Sequence, residues 1–345
     1  MQKLDTRIFG TTEKDIKDAA AILKEGGLVA FPTETVYGLG ANAMDDEAVG
    51  KVYAAKGRPS DNPMIVHIAD EADLNQLTYE ITEDMKKLME AFWPGALTMV
   101  VPARPEVSRV TTGGLDTVAV RMPDNETTLA LIREAKLPLA GPSANLSGKP
   151  SPTTANHVYD DLKGRIDAVI QGEPCKVGIE STVVDMTGEV PMILRPGIIT
   201  REALSKVLGK EVTIDPAVLQ KPDTFNNDGL LQTGEDYAPK APGMKYKHYA
   251  PKAEMIVFVG EADKVRLAIA AEKMERVGFG QKVGVLMFDS NEPEKAAHDF
   301  FAELRAFDKS GVDVIFAAAL AEDGVGLAVM NRMFKSAGYN IREIK

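Results

Sequence analysis

The sequence predicts an α/β protein built from two domains, and three observations support this prediction. The chain has 345 residues, which exceeds the length of one average domain. Over about the first two hundred residues, short apolar runs alternate with helical patterns, as in a single α/β domain. After residue 253, strands and helices alternate regularly, which indicates a small parallel, doubly wound sheet.

The first predicted element is a helix that begins after Thr12. Thr12 and Asp15 have the spacing of a capping box, and Gly26 and Gly27 mark the end of the helix. Short apolar strands follow, with helical patterns between several of them. The predicted strands are Leu28–Phe31, Met64–Ile68, Leu97–Val101, Thr117–Met122, Leu137–Ala140, Ser181–Val184 and Met192–Leu194, and the helices are Glu83–Phe92 and Glu126–Ala135. We assign these elements to a first domain over residues 1–210.

A linker is predicted over residues 211–253. The run Pro222–Gly229 is polar and aperiodic, as expected of a connection between domains. The segment Pro239–Ala253 contains lysines and a histidine but no acidic residue, which reverses the sign of the surrounding chain. Residues 254–345 then form the C-terminal domain. Its predicted strands are Met255–Val259, Val283–Phe288 and Val312–Ala317, and its helices are Ala262–Arg276, Glu292–Phe307 and Gly326–Ser336.

Composition excludes several classes of protein. The net charge of −11 argues against a protein that coats nucleic acid over its whole surface. Cys175 is the one cysteine, so an internal disulfide and a paired-cysteine zinc site are excluded, and a reducing, cytoplasmic compartment is expected. No signal peptide and no apolar run of about 20 residues is found, so we expect no membrane association.

Two polar segments of the first domain are candidates for binding an anionic ligand. Pro32–Gly40 directly follows a strand, where ligands of α/β folds bind, although a tight turn is the favoured explanation of its glycines. Lys56 and Arg58 flank a glycine, and two such cations suit a polyphosphate, with a solvated turn as an equal alternative. His67 lies on a predicted strand, where a lone histidine is more often structural than a ligand.

The strand Thr117–Met122 predicts one side of a pocket. The period of two places Thr117, Ala119 and Arg121 on the same face. The small alanine leaves space between a hydroxyl and a guanidinium, and an arginine can bind a carboxylate through paired hydrogen bonds. The alternative is a sheet face exposed to water.

The loop Gly141–Pro152 is rich in small hydroxyl side chains, glycine and proline. Such a stiff loop suits phosphate and ribose oxygens, and Gly178–Thr182 and Arg195–Gly197 have a similar character. Neither a nucleophile–base pair nor an HExxH motif is found, and Cys175 has no histidine motif beside it. Chemistry at these segments would therefore rest on holding substrates together and neutralising charge.

Several of these segments, taken in order, resemble the YrdC/Sua family of L-threonylcarbamoyladenylate synthases. The matching motifs are Phe31–Leu39, Lys56–Pro59, Trp93–Gly95, Arg121–Pro123, Gly141–Gly148 and Arg195–Gly197. Pro242–Pro251 and the C-terminal domain resemble the two-domain branch of the family. The resemblance implies a YrdC-like twisted mixed sheet with a concave basic pocket, followed by a small Rossmann-like domain.

The resemblance also implies an activity and a set of substrates. L-threonine, bicarbonate and ATP would give threonylcarbamoyl-AMP and pyrophosphate, by attack of a threonine carbamate on the α-phosphorus, for modification of adenosine in tRNA. This chemistry is that of a nucleotidyltransferase, with Mg²⁺ carried on the ATP and no metal ligands from the protein. The product would pass to a tRNA threonylcarbamoyl transferase complex, and a weak contact with RNA is expected.

By similarity, the site residues divide into three sets. The threonine set is Thr35, His67, Arg121 and Ser181. The ATP set is Arg58, Asn62, Thr117, Ser143, Asn145, Ser151, Arg195 and Tyr249. Lys56 and Arg58 are the catalytic candidates, with Lys56 near the phosphates.

Two other functions are alternatives to this one. A double-stranded RNA-binding module could use the same basic concavity, but the acidic total and the lack of aromatic stacking segments count against it. A carbamoyltransferase of hydrogenase cofactor synthesis contains a similar domain, but it also carries zinc fingers that one cysteine cannot build. Pyrophosphate release that depends on threonine would separate the three functions.

The basic segment Pro239–Ala253 is predicted to be a lid over the pocket. Tyr249 and nearby cations would contact the nucleotide while water is excluded. The C-terminal domain would anchor the far end of this lid and take no part in the chemistry. The alternative is a solvated connector.

Overall fold

The computed structural model describes residues 4–219 and 248–345. Within these ranges the strands form one eleven-stranded mixed sheet and one four-stranded parallel sheet. The first sheet contains β1 (Arg7–Phe9), β2 (Val29–Phe31), β3 (Gly38–Asn42), β4 (Ile65–His67), β5 (Leu97–Pro102), β6 (Thr117–Arg121), β7 (Leu139–Ala140), β8 (Ala168–Ile170), β9 (Thr182–Asp185), β10 (Met192–Arg195) and β11 (Thr213–Ile214). The predicted α/β class with a mixed sheet is confirmed.

Helices cover the first sheet. They are α1 (Glu13–Lys24), α2 (Asp46–Lys56), α3 (Glu83–Phe92), α4 (Glu126–Ala135), α5 (Ala155–Leu162), α6 (Arg201–Leu208) and α7 (Pro216–Leu219), and a 3-10 helix spans Glu71–Gln76. The predicted capping box of α1 is present, because the Thr12 hydroxyl and the Asp15 amide are bonded and Asp15 reaches back to Thr12. Gly26 follows α1 with φ of 74°, a left-handed value that favours glycine.

The centre of the first sheet brings polar side chains together. The strand order is β1-β8-β2-β3-β7-β4-β6-β5-β9-β10-β11. β4 and β6 are parallel neighbours, with Ile65 opposite Ala119 and His67 opposite Arg121. Because side chains alternate along a strand, all four of these residues lie on one face of the sheet.

The two faces of this sheet differ in character, as the alternation in β6 predicts. Val118 and Val120 belong to the large apolar core under the helices. On the opposite face, Ala119 is buried in a small patch with Ile65 and Val100. The space expected above Ala119 is therefore filled, and the open region lies toward the Arg121 end of the strand.

The C-terminal domain is doubly wound. Its elements are β12 (Glu254–Gly260), α8 (Ala262–Gly278), β13 (Val283–Leu286), α9 (Pro293–Ser310), β14 (Val314–Ala318), α10 (Gly324–Ser336) and β15 (Ile341–Ile344). The strands are all parallel in the order β13-β14-β12-β15. One apolar cluster joins the sheet to α8, and a second joins its other face to α9 and α10. The Rossmann-like prediction for this domain is confirmed.

The second cluster continues across the boundary between the domains. Val36 and Ile179 of the first domain and Tyr249 share it with α9 and α10. The two domains approach each other closely at Gly178, whose φ of 83° places it in the left-handed region. A Cβ at this position would lie 2.6 Å from the carbonyl oxygen of Ala297 and closer still to His298.

The structure differs from the prediction at the start of the linker. Residues 211–219 were expected to be part of an irregular connection, but β11 pairs in parallel with β10 and α7 follows it. These residues therefore extend the first sheet. The polar run Pro222–Gly229 and residues 239–247 of the basic segment lie outside the described residues. No helix within residues 4–219 and 248–345 is long and apolar enough to cross a membrane.

Gly178→Ala should destabilise the docking of the two domains. A left-handed alanine costs about 1–2 kcal/mol, and the clash with α9 adds about 1–3 kcal/mol of overpacking. Gly280→Ala is the matched control. Gly280 has a similar φ of 82°, but no atom lies within 4 Å of the position that its Cβ would take. We expect a larger drop in the thermal unfolding midpoint for Gly178→Ala, and equal drops in calorimetry would contradict the close packing.

Candidate active site

A pocket of about 620 Å³, counted with its open mouth, lies on the polar face of the first sheet at the boundary with the C-terminal domain. Its lining residues are Thr33, Thr35, Val36, Tyr37, Gly38, Arg58, Ile65, His67, Arg121, Gly141, Pro142, Ser143, Asn145, Glu180, Ser181, Arg195, His248 and Tyr249. All four residues of the predicted threonine set are among them.

Arg121 is held by three partners at the floor of the pocket. Its guanidinium forms an ion pair with Glu34 at 2.6 Å and donates to the Thr35 hydroxyl at 2.8 Å and to the Gly95 carbonyl at 3.1 Å. The sequence predicts a guanidinium aimed at a substrate carboxylate, but Glu34 was not anticipated as its partner. The ion pair keeps the cation in a position where only 3% of the residue is exposed.

His67 is neutral beside Arg121. Burial, together with the nearby Arg121 charge, lowers the pKa of His67 to about 3. Its ring packs edge-on against Phe31, with centroids 5.3 Å apart. Gly141 fits next to it because a Cβ there would lie 2.8 Å from the Phe31 ring and 2.9 Å from His67 Nδ1. A neutral imidazole can donate or accept a hydrogen bond without adding charge.

The segment Pro32–Gly40 contains a strand, β3, where a tight turn was the favoured prediction. Its glycines serve packing, because a Cβ on Gly38 would lie 2.6 Å from the Phe31 ring and one on Gly40 would lie 2.9 Å from it. The polar residues before β3 reach the pocket, and the Thr33 hydroxyl donates to the Val36 carbonyl at 2.6 Å. The segment thus combines a ligand-facing turn with a buried strand.

Five residues of the predicted ATP set line the pocket: Arg58, Ser143, Asn145, Arg195 and Tyr249. Arg195 binds Ser181 twice, at its carbonyl and its hydroxyl, each at 3.1 Å. Ser181 also shares a hydrogen bond of 2.7 Å with Thr98. Burial lowers the pKa of Arg195 to about 10, and the group remains charged at neutral pH.

Three residues of the ATP set do not line the pocket, and two of them, Asn62 and Ser151, lie behind its wall. Ser151 is fully buried and donates its hydroxyl to Glu180 Oε1 at 2.5 Å. Asn62 is buried, and its carbonyl accepts hydrogen bonds from Tyr53 at 2.9 Å and Arg58 at 3.2 Å. Thr117 is half-buried at the start of β6, far along the strand from Arg121.

Lys56 also lies behind the wall, and not among the lining residues where phosphates were expected to contact it. Its ammonium donates to the Asn145 carbonyl at 2.7 Å, to Asn145 Oδ1 at 3.3 Å and to the Ser143 carbonyl. Burial lowers the pKa of Lys56 well below its ordinary value. In this structure Lys56 fixes the loop that presents Ser143 and Asn145.

Glu180 lines the pocket, although the sequence predicted no role for it. It is 6% exposed and forms a buried ion pair at 3.1 Å with Arg332 of the C-terminal domain. Burial raises its pKa, but the charges of Arg332 and Arg195 outweigh burial, so the pKa is lowered and the carboxylate is ionised. No signal could have paired it with a residue 152 positions away.

The residues that the structure describes contain no group of three or more His, Cys, Asp or Glu side chains suited to a metal ion. Both carboxylates at the pocket are bound by arginines, Glu34 by Arg121 and Glu180 by Arg332. The pocket therefore presents cations and hydroxyl groups, which suit an anionic ligand.

This fold and site define an α/β protein with a basic pocket for an anionic ligand between its two domains. Residues 21–197 match the Sua5/YciO/YrdC family, described as "Telomere recombination", and residues 199–338 match the family described as "Threonylcarbamoyl-AMP synthase, C-terminal domain". The chain therefore belongs to the two-domain Sua5 branch of the threonylcarbamoyl-AMP synthase family.

Similar proteins cover the whole chain. The threonylcarbamoyl-AMP synthase of Pyrococcus abyssi is 49% identical over 342 residues, covering 96% of both chains. That of Bacillus subtilis is 46% identical, covering 96% of this chain and 95% of its own. A crystal structure of P. abyssi Sua5 complexed with L-threonine superposes with a TM-score of 0.89 at 47% identity, covering 99% of this chain and all of that one.

Acidification should destabilise the protein through His67. Its folded pKa of about 3 lies below the ordinary 6.5, so stability is complete above pH 6.5 and is lost as the pH falls, because only the unfolded state gains a proton. The slope per histidine is about 1.4 kcal/mol per pH unit. Urea unfolding at several pH values should show a shallower dependence for His67→Gln, and an unchanged slope would contradict burial of a neutral ring.

Proposed function

We propose that this chain joins L-threonine, bicarbonate and ATP into threonylcarbamoyl-AMP and pyrophosphate, as a nucleotidyltransferase. The observation that carries the proposal is the pocket itself, where Arg58, Arg121 and Arg195 converge with several hydroxyl groups. The names of the P. abyssi and B. subtilis relatives, and the threonine bound to the P. abyssi protein, support the same reaction.

The reaction proceeds in two steps that balance without a protein nucleophile. The threonine amine attacks bicarbonate, which gives a carbamate and water. A carbamate oxygen then attacks the α-phosphorus of ATP, and the bond to the β-phosphate oxygen breaks to release pyrophosphate. Negative charge grows on phosphate oxygens in this second step, so fixed guanidinium and hydroxyl donors lower its barrier.

Different residues of the threonine set bind different groups of the amino acid. Arg121, fixed by Glu34 and Gly95, faces the carboxylate, while the hydroxyl groups of Thr35 and Ser181 supply hydrogen bonds. The neutral His67 ring can form a hydrogen bond with threonine without adding a positive charge that would attract a second anion. Because buried partners already fix Arg121, less side-chain conformational entropy is lost when threonine binds.

The nucleotide binds across the loop Gly141–Pro152 and the end of β10. Arg58 and Arg195 neutralise phosphate charge, with Ser143 and Asn145 held in place from behind by Lys56. Mg²⁺ carried on the ATP substrate would supply charge neutralisation for the pyrophosphate. The two pocket carboxylates are engaged by arginines, which supports a metal carried by ATP.

The basic segment Pro239–Ala253 reaches the pocket through residues 248 and 249, which the structure describes. Its described end places His248 and Tyr249 in the pocket wall, where Tyr249 packs on Phe301 with ring centroids 5.1 Å apart. The product passes to a tRNA threonylcarbamoyl transferase complex in the cytoplasm, with at most weak contact to RNA. The buried position of Arg121 and Arg195 disfavours the alternative of binding a duplex backbone.

Pyrophosphate release should require all three substrates. The attacking carboxylate does not exist until threonine and bicarbonate have combined, so ATP alone should be stable. A coupled phosphate assay with each substrate omitted in turn measures this dependence. Equal pyrophosphate release from ATP without threonine would contradict the synthase function.

Arg121→Ala should weaken threonine binding more than ATP binding, and Arg58→Ala should do the reverse. A lost charged contact costs about 2–5 kcal/mol of affinity. Isothermal titration of each ligand separates the two effects, with Arg109→Ala as the control because Arg109 pairs with Asp116 on the surface. Unfolding curves should accompany the titrations, because Arg121→Ala leaves Glu34 unpaired. Equal losses for both ligands in both variants would show that the residues are wrongly assigned.

A further inference from the structure

Arg332 of α10 connects the C-terminal domain to the pocket. The residue is completely buried. Its Nε donates to Glu180 Oε2 at 3.1 Å and its Nη2 to the Glu180 carbonyl at 3.4 Å, while its Nη1 donates to the carbonyls of Pro196 and Ala328. All of these contacts except the one to Ala328 cross into the first domain.

Glu180 in turn contacts residues in and behind the pocket wall. Its second oxygen accepts the Ser151 hydroxyl at 2.5 Å, and it also forms a hydrogen bond with Tyr249. The next residue, Ser181, binds Arg195 at 3.1 Å. One guanidinium thus supports, through Glu180 and the Pro196 carbonyl, groups on three separate segments of the pocket.

Adhesion between the domains does not explain why an arginine occupies this position. The interface already has an apolar cluster that includes Val36 and Ile179, and a second ion pair joins Arg305 to Asp161 at 2.9 Å. Replacing a buried ion pair by apolar residues is often neutral or stabilising. A charged pair directly behind the pocket therefore points to a requirement for fixed polar geometry.

We propose that Arg332 is a positioning residue for the nucleotide site, so that the C-terminal domain completes the active site. It holds the Glu180 carboxylate between Ser151 and Tyr249 and fixes the turn that follows Arg195. This proposal rests on the proposed function and corrects the expectation that the C-terminal domain only anchors a lid. The planar fork of arginine suits the task, because it binds a carboxylate and a neighbouring carbonyl at once.

Three variants of the full-length protein test the proposal. Arg332→Met removes the cation, and Arg332→Lys keeps the charge but not the fork. The double variant R332M/E180Q removes both charges, while the amide oxygen of the new glutamine side chain can still accept the Ser151 hydrogen bond. Leu304→Ala is the control, because Leu304 is buried in the apolar cluster that crosses the domain boundary and does not line the pocket. Thermal midpoints, the KM for ATP, kcat and the ATP affinity by calorimetry are measured for each.

We expect Arg332→Met to lower the thermal midpoint and to raise the KM for ATP about ten-fold or more, which corresponds to about 1.4 kcal/mol. The double variant should regain most of the thermal midpoint of the wild type but keep the raised KM for ATP. Arg332→Lys should have a KM between those of the wild type and Arg332→Met. Leu304→Ala should lower the midpoint with a smaller change in KM. If Arg332→Met does not fold, the double variant provides the same comparison.

A wild-type KM in the double variant, or equal KM changes in Arg332→Met and Leu304→Ala, would overturn the positioning role and leave Arg332 as interdomain adhesion. Failure of the proposed function would look different, because the wild-type protein would then release no pyrophosphate. In that case the calorimetric affinity for ATP still compares Arg332→Met with Leu304→Ala.

Discussion

Burial of positive charge is the constraint on which the rest of this structure depends. Lys56, Arg121, Arg195 and Arg332 are all buried, and none of them is more than 6% exposed. A cation in such a place is stable only where anions or carbonyl groups surround it. These partners come from distant parts of the chain, so each cation ties one pocket loop to the scaffold. The basic pocket and the rigid loops are consequences of the same requirement.

The central strands supply the geometry for this arrangement. Parallel pairing of β4 and β6 sets His67 beside Arg121, and the small residues Gly38 and Gly141 leave room for the Phe31 ring beneath them. The loops that complete the pocket follow these strands, so only their positions at the strand ends remain to be fixed. The second domain takes part in this, because Glu180 and the turn after Arg195 are bound from α10.

Strong local signals allowed much of the fold to be predicted. The helices Glu83–Phe92 and Glu126–Ala135 match the prediction at both ends, and the capping box of α1 is present. The strand Gly38–Asn42 was not predicted, because its glycines look like a turn until the ring of Phe31 explains them. The edge strand Ile341–Ile344 was missed because only its pairing with β12 identifies it.

The sequence by itself determined the class of fold, the family resemblance and half of the residues that line the pocket, since ordered motifs and strand periodicity are local properties of a chain. Only the tertiary structure decided which charges are partners. Lys56 turned out to hold the loop at Ser143 and Asn145, and Glu180 turned out to meet Arg332 from the other domain. Ion pairs of this kind join residues far apart in the chain, and no local pattern encodes the distance between two side chains that meet only after folding.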